Sequence, residues 1–360
     1  MLDRIGRILY DIKKGYRSDS KHRTDDSVVI QLYRGYRSST KLFVQGRVLS
    51  ESAIKVSQSD RRWRNFVNAI RRFESDEVAG ARLSLDYLGQ GFSREADREG
   101  YFEVHEDVTV QPTQHPWEAI SAKLDEIPYG RPADDLFAGE VADLSAEAKI
   151  AVVTDIDDTI LQTHVTSLFK LRALYHTLMD NAYTRLSFKG APALYQALAS
   201  GPDTENISNP TFYLSRSPWN LYDMLEHFLD EKGFPKGPIF LRDVGLPYLK
   251  TASEFGHKEG SILRLINDFP SLRFVLIGDS GEKDADIYHS VAKRHPDRIA
   301  AIIIRNVKNN ANAKRIQRMF SRLPAGLNYH LVKSSEEAAI HLKRLGFINQ
   351  TQLEQVQKEA

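Results

Sequence analysis

The chain has no cysteine among its 360 residues. That absence excludes a disulfide framework, thiolate catalysis and any zinc site built on sulfur. Charge of one sign is equally scarce: 49 Lys and Arg stand against 48 Asp and Glu, a net of +1. The global basic excess of a nucleic-acid binder is missing, so no nucleic-acid partner is expected. Long apolar runs are missing too. Stretches such as 300–304 fall far short of the ~20 residues that cross a bilayer. The opening residues Met1-Leu2-Asp3-Arg4 lack the apolar core of a cleaved leader. What is present is ordinary, with 41% hydrophobic and 27% charged residues, enough to pack cores and too apolar for a disordered chain. At about 100–200 residues per domain, this length predicts two domains. The expectation is a soluble chain in the cytoplasm.

Residues 1–26 open on a helical pattern and close in a polar linker. Leu2, Ile5, Ile8, Leu9 and Ile12 form an apolar stripe, and residues 1–23 carry seven Lys/Arg against three Asp. Such a helix either docks on the protein's own surface or makes a peripheral contact with an anionic membrane. Residues 27–110 hold short β-like segments at 28–33, 41–49, 81–88 and 101–104, with Leu83, Leu85 and Tyr87 alternating at period two. They predict a small β-rich, antiparallel, sandwich-like accessory domain. One helix interrupts it, with Trp63, Phe66, Val67, Ile70 and Phe73 on one face. Pro112, Pro116, Pro128 and Pro132, set among acidic residues, read as a connector over 111–148.

From residue 149 the texture changes. Apolar strand candidates at 150–154, 211–214, 239–241, 274–277 and 299–304 alternate with helical patterns at 221–229, 257–269, 287–294 and 334–345. Apolar strands joined by helices predict an α/β domain over 149–345, a doubly wound parallel sheet covered on both faces. Residues 346–360 read as a C-terminal tail.

Chemistry concentrates in this second part. The run Ile150-Ala-Val-Val-Thr-Asp155-Ile-Asp157-Asp158-Thr159 drives a buried strand into three carboxylates. Ligands of open parallel sheets sit outside the carboxyl ends of the strands, where this cluster falls. Asp155 and Asp157 are two apart and project to one side of an extended strand, where a divalent cation would relieve their repulsion. Oxygen-only donors favour a hard cation, Mg²⁺ first. A second apolar run, 274–277, ends in Gly278-Asp279, with Asp284 five positions on. Between the two, the strand 211–214 ends at Ser215 and Arg216, with Pro218 suited to the first turn of a helix whose N–H groups would cradle an anion. Lys258 opens the pattern 257–269 and is placed to neutralise a phosphoryl oxygen. Arg242, after another strand, is a further candidate for a phosphate or headgroup, with surface ion pairing the plainer reading for both arginines.

The ordered set of Asp155, Asp157 and Thr159, then Ser215, Lys258, and Asp279 with Asp284, resembles the haloacid dehalogenase superfamily. More narrowly, Thr154–Ile160, Tyr213–Tyr222, Phe240–Asp243 and Ile277–Asp284 resemble the catalytic domain of the actin-patch-associated phosphatidate phosphatases, over residues 141–307. The resemblance implies a haloacid dehalogenase-like fold and Mg²⁺-dependent hydrolysis of a phosphomonoester, with a lipid phosphate, phosphatidate, as the leading substrate. It assigns Asp155 as nucleophile, Asp157 as general acid and base, Thr159 and Ser215 to the loop and phosphoryl oxygens, and Lys258 to charge balance. Asp155, the Asp157 carbonyl and Asp279 would hold the metal, with Asp284 behind them or bridged by water. An acid at position 157 favours prompt hydrolysis of an aspartyl-phosphate, hence a phosphatase. A phosphatase for soluble phosphomonoesters would carry the same motifs, and a non-catalytic lipid-binding or scaffold protein is the alternative from another class. With 55 residues between Thr159 and Ser215, the expected cap over the site is small.

Overall fold

The computed structural model describes residues 27–51, 76–109, 115–128, 135–143, 148–156, 189–203, 209–242, 256–281, 283–306 and 310–360. The expected helices at the N-terminus and around Trp63, and the cap segment after Thr159, lie outside these residues.

Two sheets organise the molecule. The first holds nine strands: β1 (Ser27–Leu32), β2 (Gly35–Arg37), β3 (Lys41–Glu51), β4 (Asp76–Glu77), β5 (Arg82–Tyr87), β6 (Gln90–Glu95), β7 (Tyr101–Asp107), β8 (Trp117–Glu126) and β9 (Leu136–Asp143). Its order is β1-β3-β2-β9-β8-β5-β6, with β4 and β7 also paired to β3. All pairs are antiparallel except β2 with β9. Leu83, Leu85 and Tyr87 point inward as their alternation predicts, onto a core with Val44, Val104, Ile120 and Val141. The expected antiparallel, β-rich unit is present; its strands are hydrogen-bonded as one sheet, whose far strands β6 and β7 are bridged by Arg94 Nε donating to the Glu103 carbonyl (2.7 Å) and Gln90 Nε2 to that of Asp107 (3.0 Å).

The connector at 111–148 is corrected as well, because it supplies β8 and β9, which sit between β2 and β5. Ile120, Ala122 and Leu124 are buried on one side of β8 while Ser121 and Lys123 face outward. Pro116 precedes this strand and Pro128 follows it, where a missing N–H costs no ladder bond. Proline frequency concealed a period-two pattern.

The second sheet is parallel throughout, in the order β12-β11-β10-β13-β14-β15. Its strands are β10 (Ile150–Asp155), β11 (Thr211–Pro218), β12 (Ile239–Arg242), β13 (Arg273–Asp279), β14 (Ile299–Arg305) and β15 (Tyr329–Val332). Every residue of β10 and β14 is buried, as both-face coverage requires. One face packs on α1 (Ala191–Ser200), α2 (Tyr222–Glu231), α6 (Ser335–Arg344) and α7 (Gln350–Glu359). The other packs on α3 (His257–Asp268), α4 (Asp284–Arg294) and α5 (Asn310–Phe320). The expected doubly wound parallel sheet is therefore present. The chain leaves β10 toward β11 and β12 on one side, and runs β13, β14, β15 on the other. The switch point lies between β10 and β13, where an open sheet forms a crevice at its carboxyl edge.

The tail at 346–360 is corrected to a capped helix. Asn349 and Gln352 form a capping box at the start of α7, and Leu353 and Val356 are buried against the first face. Two apolar residues one turn apart in a polar segment gave too little pattern to read as a packed helix.

The two sheets meet through a mixed seam. Tyr33 stacks on Trp219 at 4.4 Å, and Tyr36 and Phe43 join the core beneath α3. At the C-terminal end of α3, Asp268 accepts the Tyr36 hydroxyl (2.5 Å) and His105 Nε2 (2.9 Å). Burial, then Asp268, pushes the Tyr36 hydroxyl well above its ordinary range, so it stays a neutral donor. Tyr36→Phe should lower unfolding free energy by about 1.5–3 kcal/mol, because a buried carboxylate loses a donor. Urea unfolding checks this, and an unchanged midpoint would show the seam to be incidental.

On the outer strand β15, His330 stacks on His341 with ring centroids 3.8 Å apart. Burial first, then His341 and Arg344, pushes His330 down to about 4. The unfolded imidazole titrates near ~6.5, so between these values the unfolded chain binds more protons. Stability is therefore present above the unfolded value and lost as pH falls through the folded one. Thermal melts from pH 7 to pH 4 should show a shallower acid-side loss for His330→Gln than for wild type, and equal slopes would contradict this.

Candidate active site

The carboxyl ends of β10 and β13 place Asp155 and Asp279 at the switch point, with Thr154 in register with Ile277. Both aspartates are fully buried. Lys258, the second residue of α3, is 2% exposed. Its Nζ lies 2.6 Å from Asp155 Oδ1 and 3.1 Å from Asp284 Oδ1. Asp284 uses its other oxygen to accept the Asp279 backbone N–H at 3.3 Å. The lysine thus lies within ion-pair distance of carboxylates from two separate elements, and Asp284 ties it to the Asp279 turn. That turn is closed by the Gly281 N–H donating to Asp279 Oδ1 at 2.5 Å.

Gly278 is required by close approach. A Cβ there would stand 2.7 Å from Asp284 Oδ2 and 2.9 Å from the Tyr288 ring, so a side chain would drive Asp284 away from Lys258. Helix α3 is held at its first turn by Glu259 pairing with Arg294 at the end of α4, and at its last turn by the Tyr36–Asp268 seam.

Ser215 is fully buried, and its Oγ accepts the Ser217 N–H at 2.9 Å. Here the expectation needs correcting. Strand β11 continues to Pro218 through an irregularity after Leu214, and α2 begins only at Tyr222 after a short 3₁₀ turn. Pro218 therefore ends a strand, the 3₁₀ turn Trp219–Leu221 leads from it directly into α2, and the Ser215 hydroxyl is placed by the strand irregularity. Arg216 is half-buried on this strand. Arg242 ends β12 in register with Pro218, and its side chain lies outside the described residues, as do Asp157 and Thr159.

Two neighbours escaped the sequence reading. Tyr195 from α1 shares a hydrogen bond with Thr154 Oγ1 at 2.6 Å. Burial outweighs every other influence and pushes its hydroxyl above the ordinary range. Arg305 ends β14 in register with Asp279 and is 8% exposed. The rule that singled out Asp155 and Asp279, a polar residue ending an apolar strand, applies equally to Arg305. Tyr195 left no such signal, since its stripe on α1 reads as core.

Among the described residues three fully buried carboxylates, Asp155, Asp279 and Asp284, gather at this edge around Lys258. The donors are oxygens only, which suits a hard divalent cation such as Mg²⁺. Asp155 and Asp279 are the candidate ligands. Among the described residues no group of three His, Cys, Asp or Glu side chains stands close enough to hold a metal by itself, and the Asp157 segment lies outside them.

Residues 150–306 match the family described as phosphatidate phosphatase APP1, catalytic domain. Over that segment the chain is similar to this family. Phosphatidate phosphatase APP1 of Saccharomyces cerevisiae is 32% identical over 163 residues, covering 45% of this chain and 26% of the yeast protein. An uncharacterized protein of Schizosaccharomyces pombe is 27% identical over 214 residues, 59% of this chain and 34% of its own. The chain thus matches about a quarter to a third of the length of these relatives. Among solved structures, a carbohydrate acetylesterase from Xanthomonas citri aligns with a TM-score of 0.33 and 8% identity, over 86% of this chain and 72% of its own. The matched segment begins at β10 and ends just past β14, so it contains Asp155, Ser215, Lys258, Asp279 and Asp284. The nine-stranded sheet precedes it. No helix among the described residues is long and apolar enough to cross a membrane.

Proposed function

We propose that this protein is a Mg²⁺-dependent phosphomonoester hydrolase with a haloacid dehalogenase-like catalytic domain, acting on phosphatidate through an aspartyl-phosphate. The reading rests on one observation above all: Lys258 Nζ lies within 2.6 Å of Asp155 and 3.1 Å of Asp284 at the carboxyl edge of the parallel sheet. The match to the APP1 catalytic-domain family supports the substrate class.

In this mechanism Asp155 attacks phosphorus and the bond to the leaving alkoxide breaks. Asp157 donates the proton that the alkoxide takes, then removes one from the water that opens the acyl phosphate. Lys258, buried and preorganised, offsets charge on the phosphoryl oxygens as it builds. Ser215, with Thr159, binds a phosphoryl oxygen, and Arg216 and Arg242 contact the substrate's phosphate or headgroup. Asp284 orients Lys258 and the Asp279 turn and stands behind the metal ligands. Asp155, Asp279 and the Asp157 carbonyl would hold Mg²⁺, which when bound supplies charge neutralisation for the transferring group.

The test is phosphate release from phosphatidate in mixed micelles against a panel of sugar phosphates and nucleotides, with and without Mg²⁺. Preference for phosphatidate, lost with chelator, is expected. Preference for a soluble ester would move the function to that class, and no release from any substrate would leave a binding or scaffold role.

A further inference from the structure

The near-neutral net charge conceals a segregated one. Residues 298–335 contain eight Lys and Arg and no Asp or Glu, so the remainder of the chain holds 41 Lys and Arg against 48 Asp and Glu. Helix α5 lies within this stretch. Its apolar residues Ile316 and Phe320 turn inward, each 1% exposed, while Lys314, Arg315, Arg318 and, just beyond the helix, Arg322 are exposed. Arg315 is held by Asp286 through two bonds of 2.7 and 3.1 Å. Among the described residues, Lys314, Arg318 and Arg322 form no ion pair with a carboxylate.

A groove adjoins them on the side of α4. His289 of α4 lines it with Lys314, Arg318 and Arg322. Its imidazole is pushed below the ordinary value by burial, then by Lys293, with Arg322 adding to the effect. The location ties this face to the chemistry: Asn312, in the first turn of α5, donates to the Ser280 carbonyl at 2.8 Å, one residue beyond Asp279. The basic face therefore starts at the rim of the candidate site and extends for about three turns.

We propose that the exposed basic face of α5 and the following turn is the surface on which this protein docks to an anionic phospholipid bilayer. The inference rests on the lipid-phosphate reading of the adjoining site. Charge complementarity is its driving force, because the apolar side of α5 is already packed and leaves no hydrophobic face to insert. A bilayer fits better than a nucleic acid. Among the described residues Lys314, Arg318 and Arg322 form one short face that adjoins the candidate site for a lipid phosphate. The face begins beside the Ser280 turn, so a bilayer bound there lies next to the rim of the candidate site.

The test compares the full chain with the triple variant Lys314→Gln, Arg318→Gln, Arg322→Gln in sedimentation with phosphatidylcholine vesicles, with and without phosphatidylserine. Wild type is expected to bind only the anionic vesicles, and the triple variant to bind them about 100-fold more weakly. A control, Arg82→Gln with Arg98→Gln and Lys123→Gln on the nine-stranded sheet, removes the same charge and should bind as wild type. Hydrolysis of a soluble aryl phosphate should be equal in all three proteins, which also reports an intact fold. Equal vesicle binding by wild type and the α5 variant would overturn the proposal. So would absence of wild-type binding, or a short DNA duplex displacing the protein from vesicles at equal phosphate concentration. If binding depends on α5 but phosphatidate is not hydrolysed in micelles, the docking surface stands and the substrate assignment alone falls.

Discussion

Asp155→Asn is expected to lower turnover of a generic aryl phosphate by at least about 10³-fold, with substrate affinity changed far less. The amide cannot act as the nucleophile, and no other described carboxylate both ends β10 and lies 2.6 Å from Lys258. The fold should survive. Lys258 keeps Asp284 at 3.1 Å, so its charge is not stranded, and the loss in unfolding free energy should stay below about 3 kcal/mol. Steady-state kinetics and a denaturant titration on the same preparation separate the two effects. Turnover within a few-fold of wild type would remove Asp155 from the mechanism. A fall in turnover matched by a collapse of the unfolding midpoint would make it a structural residue.

The second large effect belongs to Lys258. Lys258→Met keeps much of the side-chain volume and removes the charge. Asp155, Asp279 and Asp284, all fully buried, would then share one edge without the cation that lies 2.6 Å from Asp155 and 3.1 Å from Asp284. Breaking a buried ion pair from one side costs about 3–5 kcal/mol, and loss of a preorganised cation at a phosphoryl site costs about 10²–10³ in rate. Lys258→Arg should not restore activity, because a site exposed by only 2% has no room for the wider guanidinium fork. Added Mg²⁺ should raise the melting temperature of the methionine variant more than that of wild type, since the variant has more uncompensated negative charge to relieve. Differential scanning fluorimetry with Mg²⁺ and with chelator reads this without reference to activity. An identical metal response in both proteins would separate the lysine from the metal ligands.

Legibility in the sequence tracked how local each cause was. Strands β10, β13 and β14 are buried on both faces, so each reads as an unbroken apolar run, and the acids that end β10 and β13 stand out against it. Strand β8 is buried on one face only, and its weak Ile120, Ala122, Leu124 alternation was outweighed by the prolines around it. Helix α7 buries two residues, too few to set a period. Pro218 suggested the first turn of a helix from local preference; its strand pairing with Arg242 places it one residue before the 3₁₀ turn that leads into α2. Tyr36 and Asp268 lie 232 positions apart and carry no mutual signal in one sequence.

The order of residue types alone determined which groups would gather at the carboxyl edge of a parallel sheet, because strand periodicity and strand-end polarity are properties of neighbours in the chain. Only the tertiary structure decided how they are held. The depth at which Lys258 sits, the capture of both Asp284 oxygens, the grip of the nine-stranded sheet on the far end of α3 and the exposure of the α5 cations all depend on long-range closure. Such contacts are chosen by packing among elements, after local preference has had its say.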